Sequence, residues 1–441
     1  MTGTDSKEIR SRVAGFLKKH GMDHEEIDIE KCCSLFIEEM QRGLAAEESS
    51  LQMIPTYIET DKDVPINEPV IVVDAGGTNF RVATARFDED KKPIIENFRS
   101  HPMPGIKREV SKEDFFRTMA GYLEPVFGAS RNIGLCFSYP AEIFPNKDGR
   151  LIRFSKEIKA PEVEGEMIGE NLAAAIGRRG GDGDKHVVLM NDTVTTLLAG
   201  RAVFQDRGFS TYIGFILGTG TNCCYIERNQ NIKKNRDLDP GRHQIINIES
   251  GSFAKAPRGS IDLDFDKSTL NAGLSTFEKM ISGAYLGPLC LHTARVAGEG
   301  GLFSGTPAGN LKAIERIDTK DLNDFMHHPK GDNPLASAVA GAAEADVVTL
   351  YYLIDRLIER AAKLTAVNLS SVVLKSGCGE DPCSPVCIVA EGTTFYELKS
   401  LKARVEYYLK QYLEDDRQLY YEIVKVENAT LIGAAIAGLT N

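Results

Sequence analysis

The stretch Ile71-Val72-Val73-Asp74-Ala75-Gly76-Gly77-Thr78-Asn79-Phe80-Arg81-Val82-Ala83 restricts the fold more than any other. An apolar β-branched run enters a two-glycine turn and leaves on a second alternating run, which predicts a tight β-hairpin rather than a strand-to-helix loop. Gly76 and Gly77 let the backbone approach a ligand closely. Consecutive amides in such a turn form an anion-binding concavity, and the Thr78 hydroxyl and Asn79 amide add donors, so phosphate is the expected guest. Asp74, at the end of the first strand, is placed to hold Mg²⁺ through water. A purely structural glycine hairpin is the competing reading.

The pattern recurs. Ile213-Gly214-Phe215-Ile216-Leu217-Gly218-Thr219-Gly220-Thr221-Asn222-Cys223-Cys224-Tyr225-Ile226 is again strand, glycine turn with Thr and Asn, and strand. Two phosphate hairpins, with Gly218, Thr219 and Gly220 in the second, predict two related lobes around one nucleotide. Both segments resemble the phosphate motifs of the sugar kinase, Hsp70 and actin superfamily. The longer match is to hexokinases, of the hexokinase type rather than the zinc-containing bacterial glucokinase type. Ser50-Leu51-Gln52-Met53-Ile54-Pro55-Thr56-Tyr57, leading into Asp74 to Val82, is similar to that family's entry into its small domain. The resemblance implies an α/β, two-lobed ribonuclease H-like (actin-like ATPase) fold with an interdomain cleft. The expected division is a small domain of residues 66–188 plus 429–441 and a large one of 1–65 plus 189–428. It also implies ATP and Mg²⁺ as cofactors, and phosphorylation of a hexose, expected to be glucose, at the 6-hydroxyl.

A chain of 441 residues is too long for one core and suggests two domains. The formal net charge of -11 disfavours nucleic acid and anionic membrane surfaces, which need clustered positive charge. An acidic protein that handles ATP must build its positive field locally. Asp5, Lys7, Glu8 and Arg10 interrupt the first ten residues, so no secretory signal is expected there. The apolar run from Leu431 to Leu439 is too short to span a bilayer. Nine cysteines, an odd number, fit reduced thiols and a cytoplasmic location. Cys378, Cys383 and Cys387 cluster without the paired knuckles or neighbouring His that zinc wants, which predicts a loop and a buried strand cysteine. Asp262, Asp264 and Asp266 alternate like a calcium loop but meet Lys267 at the sixth position and Gly273 at the twelfth.

Hydrophobic periodicity predicts helices over residues 6–20, stopped by Gly21, and over Ile29 to Leu44. Further helices are predicted over Phe115 to Val126, after Asp192 through Val203, over Pro334 to Leu374, over 397–413, and over Ala429 to Gly438, the last packed against a sheet. Strands are expected at Asn132 to Phe137, His186 to Met190 and Cys387 to Ala390, and an exposed turn from Arg178 to Lys185. Strands alternating with helices argue α/β.

Asp192 follows a strand and opens a helix, among three consecutive residues of capping type, so local pattern leaves both a cap and a catalytic carboxylate open. Asn191-Asp192-Thr193-Val194-Thr195-Thr196-Leu197 resembles the hexokinase catalytic segment, which implies Asp192 as general base and Asn191 as a sugar contact. The same resemblance implies sugar contacts at Ser138, Ser155, Lys156, Asn222, Glu249 and Glu278. It implies an adenosine contact at Gly392 and Thr393. Taken singly, Glu278 before Lys279 reads as an exposed helix pair and Ser155-Lys156 as a loop. The chain departs from the family in reading Phe154-Ser155-Lys156-Glu157 for Trp-Thr-Lys-Gly, Glu249-Ser250-Gly251 for Glu-Trp-Gly, and Ala390-Glu391-Gly392-Thr393 for Val-Asp-Gly-Ser. It has no tryptophan. Rival readings are a kinase for fructose, mannose or an N-acetylhexosamine, a chaperone-like or actin-like ATPase, and a non-catalytic sugar sensor.

Overall fold

Two sheets face each other across a pair of helices in the computed structural model, which describes residues 3–60, 62–154, 158–235 and 237–441. The first sheet runs, from edge to edge, Pro93–Pro102, Asn79–Phe87, Val70–Gly76, Asn132–Phe137 and His186–Met190. Val70–Gly76 pairs antiparallel with Asn79–Phe87 and parallel with Asn132–Phe137, so the hairpin leads into parallel crossovers. The second sheet runs Ile54–Pro55, His243–Asn247, Thr221–Arg228, Thr211–Leu217, Val386–Glu391 and Tyr421–Val424. Thr211–Leu217 likewise has an antiparallel hairpin partner on one side and a parallel strand on the other. The two lobes therefore repeat one unit, as the recurring glycine hairpins predict.

Helices Asp192–Val203 and Ala429–Thr440 fill the space between the sheets. Val70, Val72, Val188 and Met190 of the first sheet, and Cys224, Cys387 and Val389 of the second, bury their inner faces against Val194, Leu197, Leu431, Ile432 and Ile436. The two helices cross at Gly433, where any Cβ would collide with the Thr195 backbone. Alanine and glycine along Ala429–Thr440 make that approach possible, because only small side chains let two backbones come so near.

Each outer face carries its own helices. Lys112–Leu123 and Ile168–Arg178 cover the first sheet with Phe115, Phe116, Met119, Leu172 and Ile176. Ile29–Ala45 and Glu344–Ser376 cover the second through Phe36, Met40, Leu357, Leu364 and Val372. The result is a five-layer α/β fold.

Several expectations need correction. The stretch 334–374 is not one helix. Pro334–Ala338 stops at Val339, and Glu344–Ser376 starts after a break that holds Gly341 at φ 70°. The helix expected over 397–413 begins earlier, as Thr393–Glu397, restarts at Leu401 and ends in a wider π turn over Lys410–Asp415. Lys185, expected in an exposed turn, is buried and donates to the carbonyls of Phe127 and Ser130, both at 2.6 Å. Asp262 and Asp266 hold buried ion pairs with Arg360 and Lys279. Their alternation is thus a packing device on the helix Ser260–Lys267. Cys387 lies in the buried strand and Cys383 is exposed, as expected of a loop followed by a strand cysteine.

Candidate active site

Both hairpins open toward the level at which the helix Asp192–Val203 begins. In the first, Gly76 pairs with Asn79 and leaves Gly77-Thr78 as the turn. Gly77 has φ +57°, and a Cβ there would meet nothing within 4 Å, so the turn borders open space. Thr78 and Asn79 are exposed beside it. Asp74 is buried; its Oδ2 accepts from Arg81 Nη1 at 3.0 Å and Thr430 Oγ1 at 3.1 Å. Burial raises its carboxyl above the usual range, and Arg81 and Thr430 act in the opposite direction. Ser138 sits against this turn, its Oγ 3.0 Å from where a Cβ on Gly76 would lie.

In the second hairpin, Gly218-Thr219-Gly220 connects the strands. Gly283 N and Thr394 Oγ1 both donate to the Gly218 carbonyl, at 2.8 and 2.9 Å. Gly392 backs onto Gly218 at van der Waals distance, and Thr393 opens the next helix exposed. The expected adenosine segment therefore lies against the expected phosphate turn. Thr394 and Gly283, which join them, are residues that sequence reasoning missed.

Asn191, not Asp192, caps the helix: its Oδ1 accepts from Thr193 N at 3.0 Å and Thr193 Oγ1 at 2.7 Å. Three capping-type residues in a row differ only in which one stays extended, and Asn191 does, with ψ 160°. Asp192 is thereby left at the first helical position, half-buried, where the positive helix end favours a carboxylate. Burial raises the pKa of the Cys136 thiol, and the nearby Asp74 and Asp192 carboxylates add to the rise.

Asn222 is the hub of the remaining polar groups. Its Oδ1 accepts from Cys223 N at 2.7 Å and Ser250 N at 3.2 Å. Its Nδ2 faces the Asn247 Oδ1 at 2.7 Å, the Asn191 Oδ1 at 3.3 Å and the Glu249 Oε1 at 3.4 Å. Two amide protons serve three acceptors, which leaves acceptor capacity for an incoming hydroxyl. Asn247 also donates to Glu249 Oε1 at 2.8 Å. This residue too was missed, although a buried Asn two positions before Glu249 in an apolar strand was a visible signal.

Glu249 holds φ +58°, a left-handed conformation that costs a non-glycine residue energy. Burial pushes its carboxyl up to about 7; the Asn247 amide lowers it, Asp192 and Glu278 raise it, and Arg153 lowers it. Three carboxylates thus share one field. Glu278 accepts the Thr221 amide at 3.0 Å, bridging its own short helix to the second hairpin. The exposed-pair reading of Glu278-Lys279 is overturned, because Lys279 is 3% exposed and paired with Asp266. Ser155 and Lys156 lie outside the described residues, between Phe154 and Ile158. A pocket beside this cluster is lined by Phe137, Tyr139, Met190, Asn191 and Asn247, joined by Ile54 and Thr56 from the edge of the second sheet.

Repeated lobes, one glycine hairpin in each, and a carboxylate cluster between them define a two-lobed kinase of the actin-like class. Residues 13–202 and 212–440 match the family models described as Hexokinase. The chain belongs to the hexokinase family, and its activity is hexose phosphorylation. It is 29% identical to hexokinase-1 of spinach (Spinacia oleracea), over 90% of this chain and 84% of the relative. It is 30% identical to hexokinase-10 of rice (Oryza sativa subsp. japonica), over 78% and 71%. The hexokinase of Schistosoma mansoni complexed with glucose has a similar fold, with a TM-score of 0.79 at 24% identity over 98% of this chain and 99% of that one. No described helix is long and apolar enough to cross a membrane.

Proposed function

We propose that the protein transfers the γ-phosphoryl group of ATP to the 6-hydroxyl of glucose, with Asp192 as general base. The observation that carries this reading is the convergence of Asn191, Asn222, Asn247, Glu249 and Glu278 on one patch beside Asp192. That set offers both donors and acceptors, which a polyhydroxylated ligand needs. A chaperone-like or actin-like ATPase has no use for it. Ser138, Ser155 and Lys156 would complete the sugar set from the first lobe. Gly76 to Asn79, Gly218 to Gly220, and Gly392 with Thr393 would receive the nucleotide. The lobes would divide at residues 66–188 plus 429–441 and 1–65 plus 189–428, so that each supplies one hairpin.

Phosphoryl transfer asks the protein chiefly to align the acceptor and to offset charge. Asp192 accepts the hydroxyl proton as the oxygen bonds to phosphorus, and the bond to the ADP oxygen breaks. Asn191 keeps the Asp192 backbone fixed by capping the helix, so the cap does not depend on the Asp192 carboxylate. Thr78, Asn79 and Thr219 donate to phosphate oxygens. Asp74 suits a water-mediated contact to Mg²⁺, since Arg81 and Thr430 engage its Oδ2 and leave Oδ1 toward Gly76 and Ser138. Mg²⁺ bound with ATP would offset the charge on the β- and γ-phosphates.

The test is Asp192→Asn. Because Asn191 makes the cap, stability should change little, by about 0.3–1 kcal/mol from the lost charge at the helix end. Turnover should fall about 10²–10⁴-fold, while glucose still binds. Turnover within a few-fold of wild type would refute the assigned base.

A further inference from the structure

Tyr139 belongs to neither hairpin, and nothing in the reading above uses its side chain. It is 3% exposed, and its hydroxyl donates to the Gly77 carbonyl at 2.8 Å. That carbonyl belongs to the peptide joining the two turn residues, Gly77 and Thr78. A trans peptide is rigid, so its C=O and N–H point in opposite directions. Holding the Gly77 oxygen inward on Tyr139 therefore turns the Thr78 N–H outward, toward the open space above the turn. A glycine at φ +57° is otherwise the residue at which a peptide plane rotates most readily. Burial keeps the phenol protonated by raising its pKa, with Asp74 adding to the effect, so the hydroxyl remains a donor.

The ring of the same residue faces the sugar side. Its centroid lies 4.9 Å from Phe137 and 5.1 Å from Phe154, edge-on to the latter at 83°. Phe154 leans in turn on Phe115 at 5.5 Å. Phe154 immediately precedes Ser155 and Lys156, and Arg153 on its other side acts on the Glu249 carboxyl. One side chain thus touches the turn expected to hold phosphate and Phe154, the last described residue before Ser155.

We infer that Tyr139 is a positioning residue: its hydroxyl sets the Gly77–Thr78 peptide for phosphate, and its ring ties that setting to Phe154, beside the Arg153 that acts on Glu249. The inference rests on the proposed ATP-dependent sugar kinase and adds to it a route by which sugar occupancy reaches the nucleotide turn. Removing the hydroxyl alone should leave the sugar side intact. Removing the ring should disturb both sides.

The experiment compares wild type, Tyr139→Phe and Tyr139→Leu in steady-state kinetics with glucose and Mg²⁺-ATP, alongside melting temperatures. Tyr139→Phe should raise the KM for ATP about 3- to 10-fold, as expected for one lost neutral hydrogen bond, with the KM for glucose unchanged. Tyr139→Leu should raise both. An ATP KM within twofold of wild type in Tyr139→Phe, whatever its melting temperature, overturns the inference, and so does an equal rise in both KM values. A wild-type protein that consumes no ATP with any hexose instead refutes the kinase reading and the inference with it. If Tyr139→Leu fails to fold, Phe154→Leu replaces it, with a raised glucose KM expected and an unchanged one counting against the ring's role.

Discussion

Glu249→Gln isolates the buried carboxyl that the cleft holds near neutrality. Burial pushes the wild-type carboxyl up to about 7 in the folded chain against 4.5 for an ordinary glutamate. A shift of that size corresponds to at most about 3 kcal/mol. Between pH 4.5 and 7 the folded state binds more protons than the unfolded one, so stability falls as pH rises. The contribution is complete below 4.5 and gone above 7. Glutamine keeps an oxygen for the Asn247 and Asn222 amides but cannot ionise, so the variant lacks this slope. Denaturant titrations at pH 5 and pH 8 should show the variant near wild type at pH 5 and more stable by up to about 3 kcal/mol at pH 8. A sugar hydroxyl donating to Glu249 would favour the ionised form, so glucose binding near pH 7 should release protons. Calorimetry in two buffers of different ionisation enthalpy counts them. Parallel pH profiles for wild type and variant, together with buffer-independent heats, would refute the account.

Gly77→Val should weaken nucleotide binding and leave glucose affinity unchanged, since its side chain enters the open space above the turn; equal loss of both in a folded variant would make the hairpin structural. Glucose at saturation should draw the lobes together, because its expected ligands are divided between them, and small-angle scattering should then report a smaller radius of gyration. An unchanged radius would argue against closure. Gly433→Ala should destabilise the protein by about 1–3 kcal/mol or more in denaturant titrations, because the added methyl meets the Thr195 backbone rather than a side chain that can swing away.

The two hairpins and the strands Asn132–Phe137 and His186–Met190 were legible because β-branched runs end abruptly at glycine or polar residues. The edge strand Pro93–Pro102 was not, since its central residues Glu96 to Ser100 are all exposed and carry no alternation. Among the candidate site residues, Asp192 and Asn222 could be singled out from the segments around them. The division of labour between Asn191 and Asp192 was not, because it turns on a backbone angle. Lys279 read as an exposed partner of Glu278 because its true partner, Asp266, is brought to it only by the tertiary fold. Asn247 and Tyr139 escaped notice for a similar reason, since they bond to Asn222 and to the Gly77 turn, distant in sequence.

The helix Ala429–Thr440 lies between the sheets yet follows every strand of both in the chain. During synthesis each lobe can pair its strands and cover its outer face before this helix exists. Val70, Val72 and Val188 of the first sheet, and the side of Asp192–Val203 around Thr195, then wait uncovered, while Val389 of the second sheet already packs on Gly200. The suture between the lobes thus cannot close before the last helix is made, and a ribosome stalled before residue 429 would leave the inner face of the first sheet bare.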